Sequence, residues 1–381
     1  MGDTVAEDEV RTIEAGSNPT RFARGWHCVG LAESFRDGTP HEIKIFGETA
    51  VVFARQDGTI HMIDAFCRHM GGNLAKGTVK GDTVACPFHD WRWNGEGRCA
   101  GVPYARRVPL RGRTKAWITM ERNGLFFVWN DPQGNPPPPE VTIPGIDDYD
   151  NGRWTQWAWK SYLVEGAHCR EIVDNLVDMA HFFYVHFQIP RFFKNVFQGH
   201  VASQYMTSTG RDDIKTGVQM DLPEAVTRSE ASYYGPSFML DTIWTDSDGD
   251  TVEAKLVNCH YPISPDSFLL QYGIIVEKKP GMTDEQAQEM GTMFVDGLEE
   301  QFLQDVEVWK HKSRIENPLL TEEDGPVYQL RRWYEQFYVD VEDVTPEMVQ
   351  RFEFEVDCDQ AIGIWEAESR ENAAREGQAQ A

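Results

Sequence analysis

The chain has 381 residues, with 61 acidic against 36 basic side chains, a formal net charge of −25, and 41% hydrophobic against 25% charged residues. That composition is globular and excludes wholesale disorder, and the strong net acidity argues against nucleic acid as a partner, since binding a phosphate backbone needs clustered Lys and Arg. The length corresponds to two or three domains, and no apolar run approaches the roughly 20 residues that cross a bilayer, so no transmembrane segment is expected.

Residues 1–19 read as an acidic, poorly ordered arm, without the apolar core of a signal peptide. From about 25 to 130, short strands alternate with turns. Residues 51–53, 61–63, 83–85 and 125–128 are strand-like, and Asp57-Gly58, Lys80-Gly81 and Asn94-Gly95 mark turns. A small all-β domain over 20–135 follows. After Asp131-Pro132-Gln133-Gly134-Asn135, the four prolines Pro136 to Pro139 can continue neither a helix nor a central strand and read as an extended connector. The second domain, 136–369, mixes helices with strands, which makes the chain α+β. Residues 165–186 and 284–312 read as helices; 229–238, 250–261 and 267–277 read as sheet. Residues 370–381 read as a polar tail. The seven cysteines, Cys28, Cys67, Cys86, Cys99, Cys169, Cys259 and Cys358, are odd in number and widely scattered. They fit a cytoplasmic location better than a secreted disulfide scaffold.

The first motif is Cys67-Arg68-His69, then Cys86-Pro87-Phe88-His89 after 16 intervening residues. Each half supplies one Cys and one His, whereas a zinc finger usually pairs its cysteines and its histidines separately. Two facing loops could place both thiolates on one iron and both imidazoles on another, the ligand set of a Rieske [2Fe–2S] centre. Gly71-Gly72 and Gly95-x-Gly97 would allow close backbone approach, and Pro87 would stiffen the second loop. A mixed Cys2His2 zinc site is the competing reading. Cys28 and Cys99 read as small buried side chains.

The second motif is Asp178-Met179-Ala180-His181, then His186. Asp178 and His181 share a face if the segment is helical. His181 and His186, five apart, would point roughly 140° apart on a continuous helix, so both reach one metal only if the helix breaks between them. The intervening Phe182-Phe183-Tyr184-Val185 are weak helix formers. In 284–312 the apolar stripe holds Phe294, Leu298, Phe302 and Trp309, and Asp305 lies on it, while Glu300 and Glu307 fall on the opposite side. A carboxylate facing a core is costly unless compensated. His181, His186 and Asp305 would together make the two-His-one-carboxylate triad of a non-haem Fe(II) oxygenase. Packed core histidines and an ordinary salt bridge remain the alternative.

The two motifs together resemble the oxygenase α-subunits of Rieske non-haem iron oxygenases. Longer stretches are similar to one subfamily, the oxygenase component of 3-ketosteroid 9α-hydroxylases. They are Cys67-Arg68-His69-Met70-Gly71-Gly72, Cys86-Pro87-Phe88-His89-Asp90-Trp91-Arg92-Trp93, Asp178-Met179-Ala180-His181-Phe182-Phe183-Tyr184, Phe302-Leu303-Gln304-Asp305-Val306-Glu307, and Gln329 to Tyr338. The stretch Asp241 to Asp250 departs from that subfamily; it is expected between strands, where it could line the mouth of a pocket. The resemblance implies a helix-grip catalytic domain, an antiparallel sheet curled around a long helix. It also implies a homotrimer in which Asp178 bridges His181 and a neighbour's His89. Electrons would come from an NADH-dependent reductase carrying flavin and [2Fe–2S]. The implied reaction is monooxygenation, with O2, at C9 of a 3-ketosteroid such as androstenedione, androstadienedione or a side-chain CoA thioester, in steroid or cholesterol degradation.

A rigid apolar substrate needs aromatic walls and a few polar contacts. Phe302 and Trp309 are candidate walls, with plain core packing as the alternative. Gln204, Tyr233 and Asn258 are candidate polar contacts, with surface strand positions as the alternative. A small aromatic substrate, hydroxylated or demethylated, is the second reading of function, and a zinc-stabilised binding module without redox activity is the third. Finally, residues 98–115 carry Arg98, Arg106, Arg107, Arg111, Arg113 and Lys115 with no acidic residue, either a solvated face or a docking patch for an acidic electron donor.

Overall fold

The computed structural model describes residues 12–211, 213–214, 225–247 and 249–379. The N-terminal part holds ten strands: β1 (Gly25–Leu31), β2 (His41–Ile45), β3 (Glu48–Ala54), β4 (Ile60–Asp64), β5 (Thr78–Lys80), β6 (Thr83–Ala85), β7 (Arg92–Asn94), β8 (Cys99–Gly101), β9 (Ile118–Arg122) and β10 (Leu125–Asn130). They form three antiparallel sheets, ordered β1-β10-β9, β2-β3-β4 and β5-β6-β7-β8. β3 shows why its sequence is apolar without a break. Side chains alternate across a strand, and here each face has its own core. Ala50, Val52 and Ala54 enter one cluster with Phe35, Ile45 and Phe126, whereas Val51 and Phe53 enter another with Cys67, Cys86 and Trp93. The β9–β10 turn, Asn123-Gly124, has positive φ at both residues, as a two-residue hairpin of this twist requires.

The C-terminal part is one eight-stranded antiparallel sheet. Its strands are β11 (Ala158–Glu165), β12 (Gln188–Gln198), β13 (Val201–Gly210), β14 (Val226–Tyr234), β15 (Phe238–Ser247), β16 (Asp250–Ser264), β17 (Ser267–Val276) and β18 (Phe352–Glu355). The order is β11-β17-β16-β15-β14-β13-β12-β18. Its helices are α1 (Arg170–Val173), α2 (Ala180–Tyr184), α3 (Asp284–His311), α4 (Val327–Glu335), α5 (Pro346–Val349) and α6 (Asp359–Ala379). α3 begins with a capping box in which Thr283 and Gln286 satisfy each other's backbone N–H groups. Its buried stripe, Val295, Phe302, Val306 and Trp309, packs on Ala158, Leu256, Leu270, Tyr272 and Ile274 of the sheet. This is the helix-grip arrangement that the resemblance implies.

Several expectations are corrected. Residues 165–186 do not form one helix. Glu165 ends β11, Gly166 takes φ +83°, and α1, a single 3-10 turn at Asp174–Leu176 and α2 follow separately. Tertiary anchors replace continuous helical bonds here: Asp174 accepts from Arg331 at 2.7 Å and pairs with Arg314. The stretch from Asp241 is not a connection between strands; residues 241–247 are the body of β15, and 249 belongs to the turn into β16. Of the arm, residues 1–11 lie outside the described residues, but 12–19 are tied down. Ala15 bridges Ile315, Gly16 donates to the Arg314 carbonyl at 3.0 Å, and Glu316 donates to the Glu14 carbonyl at 2.8 Å. The polar tail is helical as far as residue 379.

The two parts share a core. Trp26, Cys28, Phe127 and Trp129 of the first pack with Trp154, Phe238, Val257 and Cys259 of the second. Gln271 of β17 donates to the Cys28 carbonyl at 3.1 Å, and Ser237 donates to the Trp26 carbonyl at 3.0 Å.

Candidate functional site

The Cys67 and Cys86 loops are built alike. The residue four after each cysteine returns its N–H to that cysteine's carbonyl, Gly71 to Cys67 and Asp90 to Cys86, both at 2.9 Å. Each of these residues has a positive φ, +76° and +56°. Each cysteine then donates its own N–H to the residue five after it, Cys67 to Gly72 and Cys86 to Trp91, at 2.9 Å. Two tight loops thus face each other with both thiols inward. A Cβ on Gly72 would lie 2.7 Å from the Cys86 sulfur, so that position requires glycine for close approach. Gly95 and Gly97 do not serve this role. A Cβ there would meet the His61 ring and the Thr114 carbonyl instead.

Both thiols are buried, and Trp93 donates its indole N–H to the Cys67 sulfur at 3.3 Å. Burial pushes the Cys67 thiol up, and Cys86 beside it adds to the rise; two thiolates so placed need a cation. The His69 and His89 rings lie 4.8 Å apart, and His69 stacks on Trp91 at 4.5 Å. His89 Nδ1 is buried without a hydrogen-bond partner. Paired thiols and an orphaned imidazole nitrogen at one place fit a Cys2His2 cluster. Pro87 is exposed on the second loop. Around the loops the surface is apolar and exposed at Phe66, Met70, Phe88 and Tyr104. All six basic residues of 98–115 are exposed, and Lys115 pairs with Glu48.

In the second constellation, candidate ligand atoms of His181, His186 and Asp305 lie within 4.8 Å of one another. The helix does break between the histidines. α2 ends at Tyr184, and the His186 N–H turns back to the His181 carbonyl at 3.3 Å. The two rings are thereby brought 4.9 Å apart. Asp305 comes from the buried stripe of α3, and its Oδ2 is 3.4 Å from His186 Nε2, while His186 Nδ1 has no partner among the described residues. Burial, and then the neighbouring His186, hold His181 below its ordinary imidazole value, so it is neutral, as a metal ligand must be. Glu300 and Glu307 are exposed. The donor set and the orphaned nitrogen fit a mononuclear iron.

Asp178 differs in detail from the expectation. It precedes α2 rather than lying within it. Its backbone carbonyl accepts from the His181 ring Nδ1, and its carboxylate accepts the His181 backbone N–H at 3.2 Å. The carboxylate is half-exposed and 3.9 Å from Nδ1. The carbonyl therefore sets the tautomer of His181, and the carboxylate remains open to further partners.

A cavity opens on this triad between the sheet and α3, and Gln204, Tyr233, Asn258, Phe302 and Trp309 all line it. None of the five is a surface position: each is 9% exposed or less. Phe302 is braced by stacking on Tyr272 at 4.4 Å, and the Trp309 indole donates to Asn175 at 3.4 Å. Burial pushes the Tyr233 phenol up, so it stays neutral. Asp241 and Ile243, from the stretch expected at a pocket mouth, do line this wall, and Asn175, Met239 and Leu298 join it without having been expected there. Period-two alternation through β15 would have put Met239 and Asp241 on one face.

Two family models match the chain: the Rieske [2Fe-2S] domain over residues 25–112 and the 3-ketosteroid 9alpha-hydroxylase C-terminal domain over residues 128–338. The chain is 70% identical to the oxygenase component of a 3-ketosteroid-9-alpha-monooxygenase of Rhodococcus rhodochrous, over 96% of this chain and 97% of the relative. It is 55% identical to the component so named from Mycobacterium tuberculosis, over 95% and 94%. Among solved structures, dicamba monooxygenase bound to 3,6-dichlorosalicylic acid superposes with a TM-score of 0.68 at 19% identity, covering 84% of this chain and 98% of that one.

Proposed function

Because this chain belongs to the family of 3-ketosteroid 9α-monooxygenase oxygenase components, a branch of the Rieske oxygenases, we propose that its buried cavity takes a 3-ketosteroid and that its two sites hydroxylate it at C9. The net reaction joins one atom of O2 to the substrate carbon and releases the other as water, consuming two electrons and two protons. The observation that carries this reading is the opening of His181, His186 and Asp305 onto a cavity walled by Phe302, Trp309, Met239 and Leu298.

Cys67, Cys86, His69 and His89 would hold the [2Fe–2S] cluster, and His181, His186 and Asp305 the mononuclear iron. When bound, the cluster supplies electrons singly and the iron supplies the site of O2 reduction. The rest is the chain's own work. The Asp178 carbonyl keeps the proton of His181 on Nδ1 and leaves the other ring nitrogen with its lone pair. The walls exclude water from the substrate. Gln204, Tyr233 and Asn258 orient its polar ends. The half-exposed Asp178 carboxylate supports a bridging role, reaching His89 of the partner subunit in a homotrimer.

An oxygenase component requires a reductase, here taken to be NADH-dependent with flavin and a [2Fe–2S] cluster. The seven unpaired cysteines support a reducing cytoplasm, and no helix of the described residues is long and apolar enough to cross a membrane. Product analysis with 3-ketosteroids, NADH and such a reductase tests the function. A 9α-hydroxysteroid is expected. Turnover of a methoxybenzoate with none of any steroid would overturn the substrate reading, and a colourless zinc protein would overturn the redox reading altogether.

A further inference from the structure

Four strands of the catalytic sheet meet in register at Gln204 on β13, Ala231 on β14, Asp241 on β15 and Leu256 on β16. Residues directly opposite one another point to the same face, and all four line the cavity. Ala231 is the smallest, so the row has a notch between Gln204 and Asp241. Asp241 is only 8% exposed, and its Oδ1 has no hydrogen-bond partner among the described residues. On the neighbouring row, the Asn258 carbonyl oxygen is likewise buried and unpartnered. Among the described residues the Gln204 amide donates only to the Met206 sulfur, at 3.8 Å, a weak acceptor. Buried polar atoms almost always find partners. Three that lack good ones, gathered at one wall of a substrate cavity, point to a polar group on the ligand.

The charges nearest Asp241 are spoken for elsewhere. Lys255 on β16 donates to Glu253 and to Thr242, and Thr242 opposes Lys255 and Glu230 in register, on the face away from the cavity. The other titratable groups lining the cavity are Tyr233 on β14, whose phenol is pushed up by burial and stays neutral, and His181, His186 and Asp305, already committed to one another. Burial therefore dominates. It pushes the Asp241 carboxyl up to about 7, against the Glu230 backbone N–H and the Lys255 charge, with the Glu230 charge adding to the rise. Around neutrality a substantial fraction of Asp241 carries a proton to donate.

We propose that Asp241 is a specificity-determining contact, whose neutral carboxyl donates a hydrogen bond to a ketone oxygen of the substrate seated in the notch over Ala231, between Asp241 and Gln204. This rests on the 3-ketosteroid reading above. A ketone oxygen can only accept, so the contact exists only while the carboxyl is protonated. The sign follows. Substrate binding is tight below about 7 and weakens as pH rises through it, and bound substrate raises the carboxyl's value further.

The test is equilibrium binding of androstenedione to the metal-loaded enzyme across that pH range, without turnover. In the wild type, affinity is expected to fall about tenfold from the acid to the alkaline side, one hydrogen bond's worth. Asp241→Asn carries an amide donor at every pH and should bind without pH dependence. Asp241→Leu should bind about tenfold more weakly than the acid wild type throughout. It should also fold, since one carboxyl oxygen of Asp241 is unpartnered and the Glu230 N–H that the carboxyl accepts lies in a strand paired on both sides, so an apolar group of similar size is tolerated. Analogues lacking the 3-ketone or the 17-ketone show which oxygen is gripped: the one whose removal abolishes the pH dependence. A red shift of the bound enone absorption, lost in Asp241→Leu, would mark the 3-ketone. Equal affinity of wild type and Asp241→Leu at every pH would overturn the proposal. Failure of the wild type to bind any 3-ketosteroid would instead overturn the substrate reading, and the proposal with it.

Discussion

The two candidate metal sites are made in opposite ways. The Cys67 and Cys86 loops close on themselves through local backbone hydrogen bonds, and their histidines lie half-buried near an exposed apolar surface. The His181, His186 and Asp305 site is assembled from a broken helical segment and a distant long helix, with His186 and Asp305 buried and His181 largely so. A site that is local in sequence can sit at a surface and meet a partner. A site drawn from distant elements requires the whole sheet-and-helix layer to hold it, and in return it opens onto a cavity between them. Electron entry suits the first and chemistry on an unactivated carbon suits the second.

The contrast is broken most severely by removing one ligand from each side. Asp305→Ala is expected to leave the visible absorption of the cluster intact, lower the iron count by one per chain, and bring hydroxylation below detection. Cys86→Ser is expected to lose the cluster absorption and the acid-labile sulfide, about two per chain in the wild type, with equal loss of turnover. Iron and sulfide analysis beside the absorption spectrum checks both.

Asp178→Asn comes next. Its backbone carbonyl still accepts from His181, so both metals should remain loaded. If the carboxylate bridges the two sites as proposed, its loss interrupts the path between them, and hydroxylation should nearly vanish. In a single turnover of reduced enzyme with substrate and O2, the variant's cluster should stay reduced while the wild type reoxidises. Equal reoxidation with product formed would show that the carboxylate bridges nothing. Loss of iron, typically a 10- to 100-fold drop in affinity when a supporting partner is removed, would show that it serves His181 alone.

Arg106→Glu with Arg107→Glu probes the surface side of the contrast. In a protein of net charge −25, this exposed basic stretch should speed encounter with an acidic donor. Reductase-supported turnover should fall several-fold at low ionic strength, and the difference should close as salt screens charges over about 10 Å at 0.1 M. Indifference to salt in both proteins would count against docking here. The smallest effect is expected from Trp93→Phe. Its indole N–H stabilises the Cys67 sulfur most in the reduced cluster, so losing a bond of about 1 kcal/mol should lower the reduction potential by ~40 mV. Redox titration followed by absorption reads that shift.

The same contrast governs what could be read beforehand. The spacing of Cys67, His69, Cys86 and His89 is a local pattern, and local loops keep their spacing when folded. Asp305 was legible because a carboxylate on an apolar helical stripe is conspicuous, and α3 has the cap and periodicity to form as written. The segment from 165 to 186 was not legible, because its breaks are held by distant groups, Arg314 and Arg331 on Asp174 among them. Asp241 was expected at a pocket mouth but in a connection between strands, because β15 looks like a polar loop in one dimension. Only the register with Gln204, Ala231 and Leu256 turns it toward the cavity.

The core in which Trp26, Cys28 and Trp129 interlock with Phe238, Val257 and Cys259 has a mechanical consequence. Electron carriers are often hung on tethers and swing between donor and acceptor. Here the cluster-bearing part is welded to the catalytic sheet, and a hinge between them would have to expose that apolar seam to water at about 25 cal/mol per Å². Within one chain the separation of the two candidate metal sites is therefore a constant of the fold. Electron traffic must be controlled by what approaches the surface and by what fills the cavity, not by a swinging domain.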